Sequence, residues 1–222
     1  MPPLLRSSRE GGLLRRIIDI TPPLRAGSAV FPGDARYEAR QTFAMGPGCP
    51  VNVAAFSMSV HCGAHADAPL HYAAGAASID QLDLADYIGP ARVIDVRGTA
   101  PLVQPEALAG RLEGVPPRVL LRLTDGLDPD VWPTGFPALA PESVELLARA
   151  GVRLIGVDVP SVDPETSKDL PSHMAVFRHD MRILENLDLS QVTEGEFELI
   201  ALPIPLEGLD AAPVRAVLRP LA

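Results

Sequence analysis

The chain has 222 residues, 47% of them hydrophobic, and a net charge of −9. That length and apolar share suit one globular domain with a substantial core. The acidic balance argues against nucleic acid and anionic membranes as partners, since phosphate neutralisation needs a basic surface, and no apolar run reaches the ~18 residues of a spanning helix.

Met1 to Arg16 is arginine-rich and lacks the apolar stretch and cleavage site of a secretory signal, and Met1 to Gly12 reads as a flexible tail. The domain is then 13–222. Arg16 to Ile20 is a short β-type run, stopped by Thr21-Pro22-Pro23. A loop with Phe31-Pro32-Gly33-Asp34 follows. Cys49 and Cys62 are the only two cysteines, too few for a disulfide framework, and they fit a reducing cytoplasm. From Asn52 to His61 apolar Ala54, Phe56, Met58 and Val60 alternate with Ser57, Ser59 and His61. Period two predicts a strand with one face in the core and a polar face ending at His61. Arg92–Val96, Val119–Leu123, Leu154–Val157, Phe197–Leu202 and Val214–Leu218 read as further strands. Helical patterns cover Pro105–Leu112 and Pro141–Ala150, the second with proline at its start and Gly151 just past its end. Strands and helices mix, with more strand than a doubly wound fold gives.

The chemistry concentrates in His61-Cys62-Gly63-Ala64-His65-Ala66-Asp67-Ala68-Pro69-Leu70-His71, which holds three of the five histidines. Imidazole and carboxylate are the donors of catalytic zinc. If extended, this segment would hold His61 and His65 roughly 13 Å apart, far beyond the ~2 Å reach of ligands on one ion. The chain must therefore curl. Gly63 permits the dihedrals, and Pro69 blocks a simple helix. One loop leaves an ion under-coordinated, so a second source is needed. His173 and Glu185 are candidates, but a single helix would separate them by about 18 Å. A break is required, and the β-like Ile183-Leu184 after a helical turn can supply it. On residues alone His179 competes as a ligand, Glu185 also reads as an ordinary surface carboxylate, and His173 or His179 as a capping residue.

Asn52–Tyr72 resembles the signature of the metal-dependent cyclase-like hydrolases, H-x-G-[TA]-H-x-D-x-P-x-H. Asp19–Leu24, Phe31–Asp34, Cys49–Ala54, Gly151–Asp158, Asp163-Pro164 with Ser167-Lys168, and Leu199–Pro203 extend the likeness to its bacterial kynurenine formamidase branch. The resemblance implies an α/β, swivelling β/β/α fold, with a mixed or barrel-like β core and flanking helices. It also implies a homodimer with two Zn²⁺ per subunit, Mn²⁺ or another divalent ion being an alternative. By position His61 and His65 match ligands of the first ion, Asp67 and Glu185 the bridging carboxylates, and His173 a ligand of the second. His71 matches the catalytic acid/base. Phe31 stands where the family usually has a substrate-contacting tryptophan, and Cys62 where threonine is common.

The implied reaction is hydrolysis of N-formyl-L-kynurenine to L-kynurenine and formate by metal-activated water, with an aromatic formamide as the small-molecule partner. Two alternatives stand beside it. One is another hydrolase on this scaffold, opening a lactam such as isatin or cleaving a different aryl amide; Phe31 keeps it open. The other is a non-catalytic metal-binding protein, although structural zinc sites are usually closed and cysteine-rich.

Overall fold

Short apolar runs become the middle of one nine-stranded sheet in the computed structural model, which describes residues 17–221. The expected tail, Met1 to Gly12, lies outside the described residues. In chain order the elements are β1 (Ile18–Asp19), β2 (Glu38–Phe43), β3 (Val53–Ser57), β4 (His65–Asp67), β5 (Ile88–Asp95), β6 (Leu102–Val103), β7 (Arg118–Arg122) and β8 (Ala138–Leu139). Then come α1 (Pro141–Arg149), β9 (Leu154–Val157), α2 (Pro171–Arg178), β10 (Arg182–Glu185), β11 (Gly195–Ile200), β12 (Ala211–Pro213) and β13 (Val217–Pro220).

The large sheet runs β1-β13-β11-β5-β7-β9-β10-β4-β12. Its centre, β5-β7-β9-β10, is parallel, and antiparallel strands extend both sides. Period two sorts the central side chains. Leu120, Leu154 and Leu184 join the core on one face. Val119, Leu121, Ile155 and Ile183 join the core on the other, where α1 and α2 pack. The architecture is the expected mixed sheet with flanking helices.

Proline opens α1 and Gly151, with φ +88°, follows its end. A nine-residue helix is marginal alone, so packing must hold it. Val144 and Leu147 are fully buried, each contributing about 1.5–3 kcal/mol. The second helical expectation shrinks. Pro105–Leu112 forms only a 3₁₀ turn, Pro105–Ala107, and Gly110 enters the left-handed region at φ +74°.

The alternating segment Asn52–His61 also differs from expectation. Its strand ends at Ser57, and it pairs only with β2 in a separate two-stranded hairpin. Neither face enters the core: Phe56 is 65% exposed. Alternation reports that a strand has an apolar face, not that its own domain covers that face. The segment after the hairpin turns back to the sheet and delivers the histidine-rich loop to β4.

Candidate metal centre

A left-handed turn and two strand pairings bring the candidate ligands together. Gly63 has φ +70°, and a Cβ there would meet Leu24 Cδ2 at 2.6 Å. Glycine adopts this bend without strain, whereas a side chain there would be strained and would have to displace Leu24. The turn folds the His61 ring to 4.9 Å from that of His65, edge-on. His65 and Asp67 are alternate residues of β4 and therefore share one face. Antiparallel pairing sets Glu185 of β10 directly opposite His65, so its side chain emerges on that face too. Glu185 ends a parallel strand, at the carboxyl edge where open α/β sheets collect ligands. Pro69 opens a single 3₁₀ turn that returns the His71 ring to 4.3 Å from that of His61.

His173 arrives from the first turn of α2. The break expected before Glu185 is real: α2 stops at Arg178, and β10 begins at Arg182. His173 Nε2 lies 3.4 Å from Asp67 Oδ2 and 3.8 Å from Glu185 Oε1. On the other side of Asp67, Oδ1 is 3.2 Å from His61 Nδ1 and 3.3 Å from His65 Nε2. His65 Nε2 is also 3.4 Å from Glu185 Oε2. Ligands ~2.0–2.1 Å from one tetrahedral ion stand roughly 3.3–3.4 Å apart, and several of these separations have that size.

The donor atoms fit cations in a second way. His65 Nε2, both Asp67 oxygens and His173 Nε2 are buried and form no hydrogen bond. They are close enough for electrostatic attraction, yet too poorly aimed to satisfy one another. Leaving such groups unpartnered costs about 1–3 kcal/mol each. Their neighbours aim them inward. His65 Nδ1 lies 2.9 Å from the Gly63 carbonyl and His173 Nδ1 2.7 Å from Asp163 Oδ2. Both oxygens can only accept, so each Nδ1 carries a proton, and Nε2 is the nitrogen that each ring turns to the cluster. Asp163 also accepts from the N–H groups of Ser172 and His173, which fixes the start of α2. Val162 N–H donates to Glu185 Oε1.

The electrostatics agree. Burial opposes charge on His65, but Asp67 and Glu185 lift it to about 10. Burial likewise opposes charge on His173, while Asp163 and Asp67 raise it to about 10. Burial pushes the Asp67 carboxyl up, and His173, His61 and His65 more than reverse this, holding it well below its ordinary value. The cluster favours positive charge at its centre.

Two sequence ambiguities resolve geometrically. His179 turns away and pairs with Glu145 on α1, so it does not join the cluster. Cys62 is buried in the turn but belongs to neither candidate ligand group, which are His61/Asp67/His71 and His65/Asp67/Glu185. His71 sits at the rim, with Nδ1 3.2 Å from Asp210 Oδ2; the same oxygen is 3.0 Å from His61 Nε2. Asp210 immediately precedes β12, whose Ala211 pairs with Asp67. Neither Asp210 nor the supporting role of Asp163 was legible, since both look like ordinary loop acids.

Above the cluster opens a cavity of about 360 Å³. His61, His65, His71, His173 and Glu185 form its reactive floor. Phe31, Trp132 and Phe136 form an aromatic wall. Phe31, 54% exposed, meets Trp132 edge-on at 5.6 Å.

Residues 18–164 match the family described as "Putative cyclase". A kynurenine formamidase of Bordetella pertussis is 53% identical over 94% of this chain and 100% of its own length. A solved protein described as a potential metal-dependent hydrolase with cyclase activity shares 26% identity, with a TM-score of 0.80 over 93% of this chain and 98% of that one. Isatin hydrolase A from Labrenzia aggregata, 24% identical, has a TM-score of 0.78 over 92% and 93% of the two chains and shares the fold. By sequence and by architecture, this chain belongs to the cyclase family, in its kynurenine formamidase branch.

Proposed function

We propose that this protein is an arylformamidase that hydrolyses N-formyl-L-kynurenine to L-kynurenine and formate. The observation that carries the reading is the cluster of unsatisfied atoms on His65, His173 and the Asp67 carboxylate between them, with the two imidazoles lining an aromatic-walled cavity. End-to-end likeness to a kynurenine formamidase selects the substrate.

In this reading His61, His65, Asp67, His173 and Glu185 hold two divalent cations, with Zn²⁺ the ion that suits imidazole and carboxylate donors. The two oxygens of Asp67, one near His61 and His65 and the other near His173, support a count of two. Bound there, the cations supply Lewis acidity that lowers the pKa of water toward ~7 and polarises a formyl oxygen. The residues do the rest. Asp210 accepts the Nδ1 proton of His71, leaving Nε2 as the basic nitrogen. Nε2 takes a proton from the attacking water as its oxygen adds to the formyl carbon. The same proton passes to the aryl nitrogen as the C–N bond breaks, releasing amine and formate. Phe31 and Trp132 offer faces and edges for the aryl ring.

Asp163 is expected to act through His173. Asp163→Ala should weaken metal affinity about 10–100-fold, read by competition with a chromophoric chelator. Unaltered affinity would limit Asp163 to anchoring α2.

Residues 13–222 act as one domain in this reading. The β2–β3 hairpin supports a homodimer: Phe43, Met45, Val53 and Phe56 are exposed on it, and an isolated two-stranded hairpin is at best marginal. No helix among the described residues is long and apolar enough to cross a membrane. The free thiols of Cys49 and Cys62 support a reducing cytoplasm.

Metal analysis coupled to hydrolysis assays tests the whole reading. Stripped protein should be inactive and regain formylkynurenine turnover with Zn²⁺ or Mn²⁺. Isatin turnover exceeding formylkynurenine turnover would move the assignment to lactam hydrolysis.

A further inference from the structure

Of the 19 lysines and arginines in this chain, Lys168 is the single lysine. It lies on the lining of the reactive cavity. The other cationic side chains are arginines, several with forks committed to fixed partners, as Arg92 to Glu196 and Arg182 to Asp86. Lys168 makes no ion pair among the described residues. A compact ammonium on a flexible stem suits a point contact with a mobile carboxylate.

Its opposite charge is close in sequence and lines the same cavity. Glu165 accepts a 2.8 Å hydrogen bond from Trp132 Nε1 through Oε1. That bond seats the carboxylate against the aromatic wall and leaves Oε2 available. The loop carrying both residues is anchored. Ser167 N–H donates to the Pro164 carbonyl, and Leu170 N–H to Ser167 Oγ. At its start Asp163 grips His173, so the loop is tied to the histidine–carboxylate cluster it overlooks.

We propose that Glu165 and Lys168 form a subsite for an α-amino-acid group, Lys168 binding the carboxylate and Glu165 the ammonium. This rests on the formamidase reading and deepens it. The aryl formamide lies over the cluster along the aromatic wall, and the zwitterionic end of the substrate reaches the charged loop. The pair sets preference for a kynurenine-type side chain over a bare aryl formamide.

The test compares N-formyl-L-kynurenine with 2′-formamidoacetophenone, which keeps the aryl ketone and lacks the amino-acid carbons. Lys168→Met should raise KM for formylkynurenine about 10-fold, the size expected of a partly exposed charged contact. The preference for formylkynurenine in kcat/KM should fall by the same factor, and Lys168→Arg should restore most of it. Glu165→Gln, which keeps an acceptor for Trp132, should also lower the preference. Equal effects on both substrates, or none on their ratio, would overturn the subsite while leaving the formamidase reading intact. A metal-loaded parent that cleaves neither substrate overturns both.

The lone lysine allows a second readout that needs no variant. Acylation of its ε-amine by an amine-reactive ester should slow several-fold with saturating L-kynurenine and not with 2′-aminoacetophenone. Equal labelling rates with both ligands would count against the subsite.

Discussion

Asp67→Ala is expected to strip the protein of metal and lower kcat/KM for formylkynurenine at least ~10³-fold, since removal of a group that merely orients a ligand already costs 10–100-fold in affinity. Asp67 faces His61 and His65 with one oxygen and His173 with the other. Among the described residues no other side chain touches all three imidazoles in this way. Its loss therefore affects both halves of the proposed centre at once. Elemental analysis of the purified variant and a hydrolysis assay measure the two effects separately. Added Zn²⁺ should raise the melting temperature of the parent by binding only the folded state, and the variant should lose most of that shift. Full metal content together with full turnover in Asp67→Ala would end the proposed mechanism.

His71→Ala should behave differently. Turnover is expected to fall by ~10²–10⁴, the usual contribution of a positioned acid/base, while metal content stays at the parent level. The expectation follows from His71 lying at the rim, with Nδ1 engaged by Asp210. It has a clear competitor, because His61, Asp67 and His71 also form a candidate ligand group. Metal loss in His71→Ala would make His71 a ligand, and the proton carrier would have to be sought elsewhere on the cavity floor.

Local features carried the sequence reading furthest. The His61–His71 loop was legible because its spacing, Gly63 and Pro69 all constrain one short stretch. Leu154–Val157 and Pro141–Arg149 appear almost where their apolar patterns and end signals put them. Features that depend on distant partners were harder to read. The cross-strand match of His65 with Glu185 depends on register between remote segments, and only family resemblance chose His173 over His179. Asp163 and Asp210 act through hydrogen bonds that no local pattern announces. The alternation from Asn52 onward misled because an outward hairpin and a half-buried strand share the same period.

Antiparallel pairing of β4 with β10 has a consequence for synthesis and assembly. A slip of one residue would turn His65 and Asp67 away from Glu185, and a growing chain exposes the histidine loop long before the last acid has been made. Unfinished or misthreaded molecules thus offer only half a chelate. The donor set of His65, Asp67 and Glu185 is complete only once β4 has docked on β10, so in the proposed reading a cation would bind the finished fold far more tightly than a partial chain.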